Sequence, residues 1–158
     1  MHNESGRSLV EILAVLAIIG ILSIAGTVGY KLAIYRYVAS QVIDTNNKFA
    51  FLIYERCRNI YEAHNTSLQS IQNCTPNTPG IPTFEEARIG NFPDCIFNKG
   101  IYFREISQPE NSTSYTIHTQ LRFKTKEHCL AVKRIKNLDT GCKGSSAPYT
   151  LTLETVED

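Results

Sequence analysis

The stretch Ile12–Tyr30 constrains this chain more than any other part of it. Its 19 residues carry no formal charge, and Lys31 ends it. At about 1.5 Å of rise per residue, a helix of that length covers roughly the 30 Å of a bilayer's hydrocarbon core. Such a helix is apolar on every side, so lipid or other helices must cover it. Glu11 stands just before the run, with Arg7 four residues upstream. A carboxylate at the mouth of an apolar helix is costly inside lipid or an apolar bundle unless a cation pairs with it. A plain anchor has no use for one, which makes Glu11 the first candidate functional residue.

Beyond the run the helical signal continues. Lys31 to about Tyr61 contains no proline or glycine. Ile34, Val38, Val42, Phe49, Ile53, Cys57 and Ile60 recur on one stripe, with Asp44, Lys48, Glu55 and Arg58 largely off it. The pattern predicts one helix over 7–61, uniformly apolar at first and amphipathic later, with 12–30 as its membrane-spanning or bundled part. Tyr30, Tyr35 and Tyr37 sit where an interfacial aromatic belt would lie. Residues 62–100 gather Pro76, Pro79, Pro82 and Pro93 and read as a long irregular connection, with a helical turn near Thr83–Arg88. Strands are expected at Ile101–Ile106, after Gly100, and at Tyr115–Phe123 and Tyr149–Val156, the last two alternating apolar and polar residues. Between the last two, a short amphipathic helix opens at Thr125, with Cys129, Val132, Ile135 and Leu138 inward. The fold class is therefore α+β, a long N-terminal helix whose distal half packs on a small antiparallel sheet in a C-terminal domain, 62–158.

All five cysteines, Cys57, Cys74, Cys95, Cys129 and Cys142, follow the apolar run. No CxxC or CxxCH occurs, which argues against zinc, thioredoxin-like and haem sites. Disulfides in an oxidising compartment fit such a small domain better, and the odd number leaves one thiol over within a monomer. Cys57, on the apolar stripe, can be either a buried thiol or a bonded one. Cys74 and Cys95 could staple the irregular connection.

Catalytic and cofactor signals are lacking: no GxSxG, P-loop or GxGxxG is present, and an enzyme is not expected. His2, His64, His118 and His128 read as surface residues and Glu85, Glu86 and Asp94 as a solvated loop, so no metal or cofactor is expected. A formal charge of +1 excludes a strongly basic nucleic-acid scaffold. Lys124, Lys126, Lys133, Arg134 and Lys136 cluster as the outer face of the Cys129 helix, with nucleic acid the less favoured partner. The asparagine sequons at 65, 73 and 111 are at chance level.

Gly6, then Arg7-Ser-Leu-Val-Glu11, then Ile12-Leu-Ala-Val-Leu-Ala-Ile-Ile-Gly20-Ile-Leu22 is similar to the N-terminal signature of type IV pilins and pseudopilins. The likeness spans about 30 of the 158 residues. It implies that residues 1–6 are a prepilin leader, cut between Gly6 and Arg7 by a prepilin peptidase, and that Arg7 becomes N-methylated. It also implies that Glu11 pairs with the amine of a neighbouring subunit during filament assembly, and that Gly20 is the glycine the family has within the run. Two positions depart from the family. The mature chain would begin with Arg7 rather than phenylalanine or methionine, and Arg7 is spaced to neutralise Glu11 within its own subunit. Val28 replaces the common proline, between Gly26 and Gly29, which soften the helix or let helices pack closely. The C-terminal half is similar to type IVb-like pilins more faintly, and by that likeness Cys129 and Cys142 would form a disulfide.

The implied function is a structural subunit of a type IV pilus, held in the bacterial inner membrane as a precursor. Its implied partners are the peptidase, other pilin subunits, the inner-membrane assembly platform and, before assembly, the lipid bilayer. It would then reach an extracellular pilus or, as the alternative reading, a periplasmic pseudopilus of type II secretion. Lys31 and Arg36 behind the run favour a cytoplasmic C-terminal domain by charge bias, against which the likeness and the cysteines argue for export. A reading outside the family is a monomeric, single-pass anchored binding domain, which would not be processed at Gly6.

Overall fold

A computed structural model describes residues 5–62, 68–90, 93–109 and 112–157. Most of the expected leader lies outside the described residues, as do His2, His64 and the Arg7 side chain expected to reach Glu11. Helix α1 runs Ser5–Glu62 without interruption. The chain divides into two compact units, one up to Tyr35 and one from Arg36. The first unit is α1 alone. The second holds the rest of α1, a 3-10 turn (Leu68–Asn73), α2 (Phe84–Ala87), β1 (Ile96–Ser107), β2 (Tyr115–Phe123), α3 (Lys126–Lys136) and β3 (Tyr149–Glu157).

The three strands form one antiparallel sheet in the order β1-β2-β3. Ile117, Thr119, Leu121 and Phe123 of β2 face inward, as its alternating sequence requires, joined by Leu151 and Leu153 of β3. The distal part of α1 supplies the other wall of the core through Val42, Phe49, Ile53 and Cys57, four residues of the expected stripe. Burying each large aliphatic or aromatic side chain contributes about 1.5–3 kcal/mol, so this wall ties α1 to the sheet. Tyr54 tilts against Tyr115 with ring centroids 5.8 Å apart, and Phe49 meets Phe84 edge-on at 5.4 Å. One polar pair lies inside this interface. Thr119 Oγ1 donates to Asn46 Oδ1 at 2.6 Å, both residues fully buried.

Parts of the connection that its composition marks as irregular form regular elements. Thr83 caps α2 in a capping box with Glu86, and Arg88 closes it in the left-handed conformation. β1 starts at Ile96, inside the segment expected to be irregular. Ile96 pairs with Phe123, but the next pair is Ile101 with Leu121, so residues 97–100 bulge out of the ladder. The sequence hides this strand because the bulge interrupts its alternation. Gly100 makes the return possible: a Cβ there would lie 2.7 Å from Ile96 Cγ2 and 3.1 Å from the Arg122 carbonyl oxygen. In α3, Cys129 and Val132 are buried as expected, whereas Ile135 is 45% exposed, because the helix turns it away before Asn137 caps the end.

Cys129 bonds to Cys142, closing α3 against the segment that leads into β3. The second disulfide corrects an expectation. Cys74 bonds to Cys57 rather than to Cys95, with Cα atoms 6.0 Å apart. The reason is placement. Cys57 points inward from the last turns of α1, where the chain returns through the 3-10 turn to Cys74. Cys95 instead sits at the start of β1 as a buried free thiol, and burial pushes it up to about 11.

Candidate functional site

Leu, Ile, Val and Ala dominate the first unit, and no proline interrupts it, so α1 forms there without tertiary help. Every large apolar side chain from Leu9 to Leu32 is between 45% and 68% exposed. Among the described residues, α1 is the one helix long and apolar enough to cross a membrane. Its polar side chains within the run are already satisfied. Ser23 Oγ donates to the Ile19 carbonyl at 2.7 Å and Thr27 Oγ1 to the Ile24 carbonyl at 2.9 Å, so neither needs water. Gly20, Gly26 and Gly29 have nothing within 4 Å of where a Cβ would stand. Their small size therefore serves no contact among the described residues.

Glu11 is exposed on the first turns of the same helix. At about 100° per residue, Glu11 and Gly20 lie roughly 180° apart around the axis. A neighbour that neutralises Glu11 thus approaches one face, and a neighbour that fits against Gly20 approaches the opposite one. These two candidate residues share an element but do not form one site.

The second unit contains a cleft of about 290 Å³ between α2 and β1, lined by Phe49, Pro82, Phe84, Ile101 and Phe103 and rimmed by Glu85, Glu86 and Lys99. The bulge delivers Lys99, in the left-handed conformation, to 3.8 Å from the Glu85 carboxylate. Glu86 is spent on the cap. Its carboxylate accepts from the Thr83 backbone N–H and hydroxyl, and these bonds hold its pKa below the ordinary glutamate range. The cleft thus offers an apolar floor and a weak ion pair, with no nucleophile paired to a base.

Register, not sequence proximity, assembles one further row on the outer face of the sheet. His118 lies opposite both Glu105 and Glu154. Its Nε2 is 2.8 Å from Ser107 Oγ and its Nδ1 is 3.7 Å from the Glu154 carboxylate. The row was missed because strand pairing alone brings these residues together. It resembles a nucleophile–base–carboxylate series, but it sits on an open sheet surface apart from the cleft. His128, next to Cys129, contacts the Thr125 hydroxyl, and burial lowers its pKa. His118 and His128 are part-buried and bonded rather than freely solvated. Among the described residues no group of three or more His, Cys, Asp or Glu side chains is placed to hold a metal ion.

Comparison with protein-family models, curated proteins and solved structures gives no match.

Proposed function

We propose that this chain is a filament subunit of the type IV pilin kind, held by the first unit of α1 in the inner membrane until it assembles. The observation that carries this reading is the bare apolar surface from Leu9 to Leu32, headed by a single carboxylate, Glu11. Lipid covers that surface in the precursor, and the same helix of other subunits covers it in the filament. Helix packing in a dry core is driven by close contact as well as by exclusion of water, and Gly20, Gly26 and Gly29 are where neighbouring backbones approach. Glu11 sets the register, because a subunit shifted along the bundle would leave its charge buried and unpaired. The acting partner is the new amine at Arg7 of a neighbouring subunit, freed when a prepilin peptidase cuts after Gly6. The folded second unit rides outside, in an oxidising space where its two disulfides persist. A pilus and a type II secretion pseudopilus share every step of this scheme and differ in filament length and site.

Intact mass and N-terminal sequencing of membrane-extracted protein, from cells with and without a prepilin peptidase, test the reading. A chain beginning at methylated Arg7 only when the peptidase is present is the expected result. A chain beginning at Met1 in both strains refutes it and leaves the anchored monomer. In processed protein, Glu11→Ala should sharply reduce incorporation into filaments while leaving the second unit folded. Normal filaments from that variant would remove the role given to Glu11.

A further inference from the structure

We propose that the open edge of β3 takes up an extended peptide as a further strand, with a cation of the peptide facing Glu154. The sheet ends on β3, whose nine residues pair with β2 in unbroken register. Thr150 fixes which way the β3 backbone points. It lies opposite Arg122 of β2 on one side, and on the other its N–H donates to the Lys143 carbonyl while its carbonyl accepts from the Lys143 N–H, each at 2.9 Å. Backbone groups alternate sides along a strand with a period of two residues. The N–H and C=O of Thr152, Glu154 and Val156 therefore point the same way as those of Thr150, out of the sheet. Among the described residues only Lys143 pairs with this edge, and it stops at Thr150.

Sheet edges are ordinarily guarded against stray pairing by bulges, prolines or lysines. The other edge, β1, is guarded: its register breaks twice, and it carries Lys99 and Arg104. β3 has no register break, no proline and no lysine, and it leaves Val156 63% exposed beside the open backbone groups. Its outward donors and acceptors at Thr152, Glu154 and Val156 fit about five residues of an incoming strand. Lys143 shows the antiparallel orientation that this edge accepts.

The side chains say what sequence the partner has. Glu105 and Glu154, both exposed, flank His118 from the two neighbouring strands, so this row reaches the open edge as a carboxylate. A lysine or arginine directly across from Glu154 completes the row, and an apolar side chain across from Val156 covers that residue. In an antiparallel partner the apolar residue comes first and the cation two positions later. A second copy of β3 does not meet this demand, because pairing centred on Glu154 sets one carboxylate against the other. The edge is separate from the apolar helix, and its use does not depend on cleavage at Gly6.

The test titrates a capped peptide, valine-threonine-lysine-threonine-threonine, into the nitrogen-15-labelled full chain in detergent micelles, up to about 2 mM peptide. Saturable shifts of the Thr152, Glu154 and Val156 amides, with slowed hydrogen exchange at all three, are the expected result. Thr152→Pro removes an outward N–H that the sheet does not use, so the fold should persist by circular dichroism while peptide binding weakens at least about tenfold. Glu154→Lys should weaken the lysine peptide about threefold or more and favour the same peptide with glutamate in place of lysine. That exposed substitution keeps the test decisive if Thr152→Pro unfolds. A peptide N-methylated on its valine, lysine and last threonine, whose N–H groups face β3, should not bind. Equal binding of the methylated peptide overturns the proposal, as does the lack of any saturable shift. Shifts at the three amides that grow with protein concentration alone assign the edge to a second copy and overturn it too.

Discussion

The pair Asn46–Thr119 makes the sharpest demand on the helix–sheet interface. Both residues are fully buried, Thr119 Oγ1 donates to Asn46 Oδ1 at 2.6 Å, and Asn46 Nδ2 has no partner among the described residues. Thr119→Val keeps the shape and removes the donor, so both polar atoms of the Asn46 amide become orphans. Leaving a buried group unpaired costs about 1–3 kcal/mol, and this substitution should cost about 2–3 kcal/mol. Asn46→Leu removes the unpaired Nδ2 as well as the acceptor, while Thr119 Oγ1 keeps the Leu153 carbonyl at 3.4 Å. Its cost should stay within about 1 kcal/mol, the larger side chain included. The double variant replaces both partners by apolar groups and should be about 2 kcal/mol more stable than Thr119→Val alone. Urea unfolding of the full chain in mild detergent reads these differences by tyrosine near-ultraviolet dichroism. With no tryptophan and 8 tyrosines, the signal comes largely from rings such as Tyr54 and Tyr115 at this same interface. A Thr119→Val variant within about 0.5 kcal/mol of wild type would refute the reasoning, as would costs that simply add in the double variant.

Gly100→Ala should destabilise the second unit by about 1–3 kcal/mol, because the new methyl meets Ile96 and backbone that cannot move freely, whereas Gly141→Ala, with open space around it, should be near neutral in the same assay. Alkylation under non-reducing conditions should label no cysteine in the folded protein and Cys95 alone after unfolding, since its thiol is buried and its pKa raised to about 11. Peptide mapping that places a label on Cys57 or Cys74 would contradict the disulfide pairing.

Some of this architecture was legible in the residues. An uncharged run followed by a 3.6-residue stripe specifies a helix whatever surrounds it, because both signals are local. β2 was legible for the same reason: one face buried and one face wet enforce alternation. The helical turn near Thr83–Arg88 was expected, but the cap that Thr83 and Glu86 make there was not. The tertiary structure decided the rest. Cys74 was expected to pair with Cys95, with Cys57 either bonded or a buried thiol, and only the return of the chain to the end of α1 brought Cys57 to it. The strand at Ile96 was obscured by a bulge whose existence depends on Gly100 meeting Ile96 and Arg122. Asn46 reads as a polar residue on a helix, yet sheet packing buries it against Thr119. The clustering of Glu105 and Glu154 around His118 is likewise a product of strand register. Local patterns set which segments become helix or strand, because backbone geometry and burial on one face act over a few residues. Which distant side chains meet depends on how those segments close over one core.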